Sequence, residues 1–142
     1  MRLEHANITV KSVDEATRFL GKAFPGARVR GEGPIHGNEG RGRWVHFGTD
    51  DHYIALQENS NHSAPRDVTY TNDGINHIGF VVEELDLLMA RLEEAGYSLS
   101  PDSAMSGHPF RRRAYYFDAN GIEWEFVEYL SDDPAERNDY RQ

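Results

Sequence analysis

The chain contains no cysteine. Disulfides, thiolate metal ligands and a cysteine nucleophile are therefore excluded. Basic charge is scarce as well: 15 Lys and Arg stand against 24 Asp and Glu, a formal net charge of −9. Nucleic-acid binding needs a basic stripe, and the one cluster is Arg111-Arg112-Arg113, so no nucleic-acid partner is expected. No apolar run approaches the roughly 20 residues of a membrane span, and no membrane partner is expected. The first residues already read as a strand, which leaves no signal peptide and makes a cytoplasmic location the expectation. Gly37, Gly40 and Gly42 lie in a loop with no strand before them and no helix after, so a phosphate-cradling loop is not indicated. Nor is a Ser–His–Asp arrangement.

What is present is enough for one compact domain of 142 residues, 38% of them hydrophobic. Its organising stretch is Ile75-Asn76-His77-Ile78-Gly79-Phe80-Val81-Val82. Strand alternation puts Ile78, Phe80 and Val82 on one face and His77, Gly79 and Val81 on the other. Leu3-Glu4-His5-Ala6-Asn7-Ile8-Thr9-Val10 repeats the pattern with its histidine at the same place. His5 and His77 stand 72 positions apart, half the chain, which signals a duplicated module.

Each copy continues in the same way. Ser12 with Glu15 forms a capping box before a helix carrying Val13, Ala16, Leu20 and Ala23, stopped at Pro25-Gly26. Leu85, Leu88, Met89 and Leu92 form the second apolar stripe, and Gly96 is its C-terminal cap. Residues 28–30 read as a short strand, Gly31 to Gly42 as a loop, and 43–47 and 53–58 as two further strands. The second copy offers Tyr97 to Leu99, Arg113 to Phe117 and Ile122 to Tyr129, with a turn at Asp118-Ala119-Asn120-Gly121. The expectation is an α+β fold. Two tandem βαβββ modules, about 3–58 and 75–130, are joined by a linker, 59–74, and followed by a loosely held polar tail, 131–142. One module leaves a sheet face uncovered, so two curved mixed sheets are expected to enclose a shared cavity with the helices outside.

On that plan His5 and His77 face the cavity. In the last strand Glu125 shares a face with Glu123, Val127 and Tyr129. A carboxylate there is unfavourable unless paired, protonated or metal-bound. Two imidazoles and a carboxylate suit a divalent iron, manganese, nickel, cobalt or zinc ion with open positions for water and substrate. Arg113 and Tyr115 share the parity of Glu125. Arg113 is placed to hold a substrate carboxylate or phosphonate, or all three arginines form a solvated strand start, the better reading for Arg111 and Arg112. His36, His62 and His108 fall in loops, where exposure is the default; His46 and His52 lie in or beside strands.

The chain resembles the vicinal oxygen chelate superfamily of glyoxalase I, extradiol dioxygenases, fosfomycin resistance proteins and bleomycin resistance proteins. The residues that carry the likeness are 3–10, 76–82 and Tyr115 through Phe126. The resemblance implies His5, His77 and Glu125 as metal ligands, with Glu125 four residues after the turn glycine. It also implies Tyr115, ten residues before Glu125, as a residue lining the ligand site, where cross-strand packing is the competing role. Matching Phe47 with Phe117 and Glu58 with Glu128, at an offset of 70, sets Ala55 opposite Glu125, so the second glutamate of glyoxalase I is missing. Gln57, two residues on, is the candidate fourth ligand, as in some related epimerases. Glu58 lies on the other face.

Two functions follow from the resemblance. One is a metal-dependent enzyme of lyase or isomerase, thiol-transferase or dioxygenase type, acting on a small oxygen-rich substrate. The other is a metal-free drug-binding protein of the bleomycin resistance type, with an acidic, aromatic groove. A homodimer is expected for either.

Overall fold

The computed structural model describes residues 2–35, 42–59, 70, 73–101, 103 and 107–140. His36, Gly37, Gly40, His62, Val68 and most of the 59–74 linker lie outside the described residues. The chain is an α+β protein of two compact units, Met1–Asp67 and Val68–Gln142.

In the first unit β1 (His5–Val10), α1 (Val13–Ala23), β2 (Arg28–Pro34), β3 (Gly42–Gly48) and β4 (Tyr53–Asn59) follow in order. The sheet order is β1-β4-β3-β2, with β1 parallel to β4 and the other pairs antiparallel. In the second unit β5 (His77–Val81), α2 (Leu85–Glu94), β6 (Arg111–Phe117) and β7 (Glu123–Tyr129) give the order β5-β7-β6, followed by the short α3 (Pro134–Arg137).

Alternation decides which face is core. Val13, Ala16, Phe19, Leu20 and Ala23 of α1 are buried, as are Val45, Phe47, Ile54 and Leu56 of β3 and β4, on which the helix packs. The second unit repeats this with Leu85, Leu88 and Leu92 of α2, and with Ala114, Tyr116, Trp124 and Phe126 of β6 and β7. Each large side chain so buried contributes about 1.5–3 kcal/mol. The other strand face is left to His5, Tyr53, Ala55 and Gln57 in one unit, and to His77, Glu123, Glu125 and Tyr115 in the other.

The helix ends follow local chemistry. Ser12 Oγ accepts from Glu15 N at 3.3 Å, as a capping box requires, and Glu58 Oε2 accepts from Val13 N at 2.8 Å. Glu58 is therefore occupied on the helix face of its sheet. α2 has no side-chain cap of its own; Glu128 Oε1 accepts from Leu85 N at 3.3 Å in the same role. At the other end Gly96, with φ +89°, closes a Schellman motif: Tyr97 N donates to Leu92 O and Gly96 N to Glu93 O, both at 2.9 Å.

Five expectations change. β2 runs on through Gly31 and Gly33 to Pro34 instead of becoming a loop, because the Trp44 indole lies across both glycines. A Cβ on Gly33 would sit 3.1 Å from that ring, closer than ordinary packing, so the glycine lets the indole lie directly on the strand. Tyr97 to Leu99 is reduced to a single bridge, Leu99 to Tyr116. The hairpin alignment also shifts. Gly48 pairs Tyr53 while Phe117 pairs Glu123, so the second hairpin has one more loop residue. Phe47 therefore corresponds to the buried Tyr116 and not to the exposed Phe117, whereas the match of Glu58 with Glu128 and of Ala55 with Glu125 stands in the strand register. Finally, the tail is tied down. Arg137 lies over the Tyr129 ring and Arg111 over Tyr140, and His108, buried rather than exposed, donates from Nε2 to Asp139 O at 2.9 Å.

Candidate metal centre

The polar face of the second sheet gathers five side chains. His77 opens β5, and its register partner is Glu123; Glu125 is opposite Gly79 on one side and Tyr115 on the other. Strand alternation puts these four on the face away from α2, and Tyr70 joins them from outside the strands. A Cβ on Gly79 would come within 3.3 Å of Glu125 Oε2, so the glycine leaves the space into which this carboxylate folds.

Hydrogen bonds hold the imidazole on both sides. Tyr70 donates to Glu123 Oε2 at 2.5 Å, and its oxygen lies 2.8 Å from His77 Nδ1. On the other side of the ring, His77 Nε2 lies 3.1 Å from Glu125 Oε2, the distance of a hydrogen bond or ion pair. Tyr115 donates to the other carboxylate oxygen, Oε1, at 2.5 Å. Its ring stands edge-on to His77, and its backbone is pinned by Ser103 Oγ, which accepts from Tyr115 N at 2.9 Å. Burial, and then the bond to Glu125, push the Tyr115 hydroxyl up to about 12, which keeps it a donor throughout the neutral range. Burial followed by the bond to Glu123 raises Tyr70 still further.

An imidazole nitrogen 3.1 Å from a carboxylate oxygen is bridged by a proton when Nε2 carries one, and a cation can take that proton's place between them. Glu123 is 5% exposed and the Glu125 side chain 13%, so water screens them poorly. The pair thus suits a cation by its chemistry: one borderline nitrogen and one hard oxygen, each oriented through its remaining atom. Among the described residues no three His, Cys, Asp or Glu side chains form a ready metal cluster; His77 and Glu125 bring together two side chains of types that can bind a metal.

Arg113 lies on the same face two residues before Tyr115, opposite Val127, and its Nε is buried without a hydrogen-bond partner among the described residues. Arg112 is structural: it binds Asp86, and Glu128 at 3.0 Å. Glu123 and Tyr70 exceed what the sequence assigns them. The parity Glu123 shares with Glu125 is a usable signal; nothing in the pattern around Tyr70 is.

In the first unit His5 stacks on Tyr53 at 4.7 Å, and its Nδ1 is 3.0 Å from Glu4 Oε2. Tyr53, His46 and Trp44 continue the row at 4.5 and 4.7 Å, and a bulge at Arg30 brings its guanidinium over Tyr53. Burial lowers the His46 pKa, helped by the nearby His5 and Arg30. A cavity of about 220 Å³ lies beside this row, lined by Asn7, Trp44, His46 and Gln57 among others. Gln57 Nε2 donates to Asn7 Oδ1 there at 3.1 Å. His52 is taken up by the Leu3 carbonyl, 2.9 Å from its Nδ1.

Comparison with known proteins bears on both units. The profile of the Glyoxalase/Bleomycin resistance protein/Dioxygenase superfamily matches residues 2–126. No curated protein matches the chain. Among solved structures, a glyoxylase/bleomycin resistance protein/dioxygenase domain from Frankia sp. EAN1pec is similar at 22% identity and TM-score 0.75, covering 94% of this chain and 95% of that one. A glyoxalase family protein from Bacillus cereus is similar at 21% identity and TM-score 0.74, covering 92% and 95%. The fosfomycin resistance protein FosX from Listeria monocytogenes, complexed with Mn(II) and sulfate, is similar at 20% identity and TM-score 0.65, covering 96% of each chain. At these identities the likeness to solved structures is one of fold. No described helix is long and apolar enough to cross a membrane. With a superfamily profile spanning nearly its whole length, the chain belongs to the Glyoxalase/Bleomycin resistance protein/Dioxygenase superfamily.

Proposed function

We propose that the protein is a metal-dependent enzyme acting on a small, oxygen-rich, anionic substrate. The observation that carries this is the approach of His77 Nε2 to Glu125 Oε2 at 3.1 Å with both donors held from behind, by Tyr70 and by Tyr115. His77 and Glu125 supply two metal donors, and His5 is taken as the third on the superfamily resemblance. A divalent ion so held would act as a Lewis acid on adjacent substrate oxygens. Arg113, with its unsatisfied Nε on the Glu125 face, is assigned to the substrate's carboxylate or phosphonate. Tyr115 keeps Glu125 in place and presents a protonated hydroxyl at neutral pH. Gln57, whose amide nitrogen donates to Asn7 in the first unit's cavity, is the candidate fourth ligand through its amide oxygen. The reaction class is lyase or isomerase, thiol transfer or dioxygenation, and the working form a homodimer.

The test is metal content of tag-free protein beside His77→Ala and Glu125→Gln. About one divalent ion per chain in the wild type, lost in both variants, is the expected result. A wild type that stays empty after incubation with Mn²⁺, Ni²⁺, Zn²⁺, Co²⁺ and Fe²⁺ would overturn the reading. One FosX structure holds Mn(II) with 1S,2S-dihydroxypropylphosphonic acid, so that diol and simple phosphonates are the first ligands to screen, with Arg113→Lys as the control.

A second reading, a metal-free binding protein, is favoured by the row of His5, Tyr53, His46 and Trp44 beside the first unit's cavity. It would stand if ligands of the screen bind the empty protein and bind His77→Ala equally.

A further inference from the structure

The two sheets share a plan and differ where Glu125 stands. Glu125 is opposite Gly79 in the second unit; in the first, Ala55 holds that place, opposite Asn7. A methyl group where the other sheet carries a carboxylate leaves space, and the cavity of about 220 Å³ opens there with Ala55 in its wall. Asn7, Ala55 and His46 form one register row and Gln57 and Trp44 the next, so all five share the face away from α1. Trp44 is held from behind. Its indole rests on β2, where a Cβ on Gly31 would meet it at 3.6 Å and one on Gly33 at 3.1 Å. The His46 ring follows at 4.7 Å, tilted by 50°, so the two rings make a corner.

The polar groups of this cavity are few and uncharged. Gln57 Nε2 donates to Asn7 Oδ1 at 3.1 Å. That bond occupies the Asn7 oxygen and leaves Asn7 Nδ2, which has no partner among the described residues, as a donor for the cavity. No lining side chain carries a formal charge; His46 is the one titratable group, and burial, then His5 and Arg30, lowers its pKa. Arg30 itself lies over the Tyr53 ring and is not part of the wall. An anion entering here would lose water without meeting a counter-charge. A neutral flat ring has no such cost and gains the face of an indole. A cavity of roughly 150 Å³ holds benzene, so this one has room for a six-membered ring and a short substituent.

We propose that the first unit's cavity binds an uncharged, flat ring bearing a carbonyl group, stacked on Trp44, with the carbonyl oxygen accepting from Asn7 Nδ2. The inference rests on the reading of this cavity as a ligand site and does not use the metal. Every residue it names belongs to the first unit, and Gln57 contributes only its nitrogen.

The test is NMR titration of metal-free protein with benzamide, benzoate and toluene. Benzamide should bind about tenfold more tightly than benzoate, which has its shape and a charge, and about fivefold more tightly than toluene, which lacks the carbonyl. Asn7→Leu, at an exposed strand position, should lower benzamide affinity about fivefold and leave toluene unchanged. Trp44→Leu should weaken both, and His77→Ala neither. Benzoate binding as tightly as benzamide overturns the uncharged class. Benzamide affinity unmoved in Asn7→Leu or in Trp44→Leu overturns the site. If phosphonates bind the empty protein and benzamide does not, the metal-free binding reading stands and this inference alone falls. A protein that takes up no metal but shows the expected benzamide pattern loses the metal reading and keeps this one.

Discussion

Gly79 shows how much of a site can depend on an atom that is not there. Its missing Cβ leaves room for Glu125 to fold against His77, and a methyl group would stand 3.3 Å from Oε2. Gly79→Ala should therefore keep the fold, alanine being acceptable in a strand, and push the carboxylate a few tenths of an ångström off its place. The expected loss of Co²⁺ affinity is about tenfold, or roughly 1.4 kcal/mol, read by Co²⁺ titration against a competing chelator. An unchanged affinity would mean that Glu125 is not held to that geometry. Tyr116 poses the opposite case. It is fully buried against Phe126, and its hydroxyl has no partner among the described residues; burial pushes its pKa up to about 12. A buried hydroxyl left unpaired costs about 1–3 kcal/mol, so Tyr116→Phe should be neutral or stabilising by about 1 kcal/mol in urea denaturation. A clear loss of stability would reveal a partner for the hydroxyl. His108 and Tyr116 mark the limit of reading single residues: the linear pattern puts one in solvent and leaves the other out of the hairpin match. Burial of each depends on what the tail and α2 bring over it.

At the scale of elements, the β6–β7 turn depends on Asp118. Its Oδ1 accepts from Asn120 N and Ile122 N, both at 2.9 Å, and Gly121 takes φ +82° to close the loop. Burial raises the Asp118 pKa above the ordinary carboxylate value, outweighing those backbone bonds. A carboxyl raised on folding binds its proton more tightly in the native state, so its contribution is full below the unfolded value and is lost as pH rises through the folded one. Asp118→Asn keeps the acceptor oxygen without the charge. It should flatten the fall in stability just above pH ~4 and at neutral pH equal or exceed the wild type, measured by thermal melts across pH. If the variant is instead less stable at neutral pH with the slope unchanged, the ionised carboxylate is itself stabilising. The helices α1 and α2 are legible in the sequence, because caps and apolar stripes are local. The length of β2 is not, since Gly31 and Gly33 read as loop until Trp44 is laid across them from the next strand.

For the whole molecule, each unit carries a helix-backed sheet with an open polar face, and a ligand of that face stabilises the fold by mass action. At 100 times its Kd a bound ion adds about 2.7 kcal/mol. For a chain of this size that raises Tm by roughly 5–10 °C. Saturating Co²⁺ or Mn²⁺ should raise Tm by that amount in wild type and leave His77→Ala unmoved; equal shifts in both would place the ion elsewhere. Light scattering with and without metal checks the homodimer of the proposed reading.

The sequence alone determined the α+β class, the duplication, both amphipathic helices and the face on which His5, His77, Glu125, Tyr115 and Arg113 lie. Those features depend on period and on neighbours a few residues away, which a linear pattern records. Only the tertiary structure decided that Tyr70 reaches His77, that Glu123 is buried behind it, that Ser103 pins Tyr115 and that Glu58 and Glu128 serve the helix ends. Each of these joins groups from 7 to 53 residues apart, by hydrogen bonds whose existence depends on ångström-scale distances between strand, loop and helix. No spacing along the chain encodes such distances until the sheet and its packing fix them.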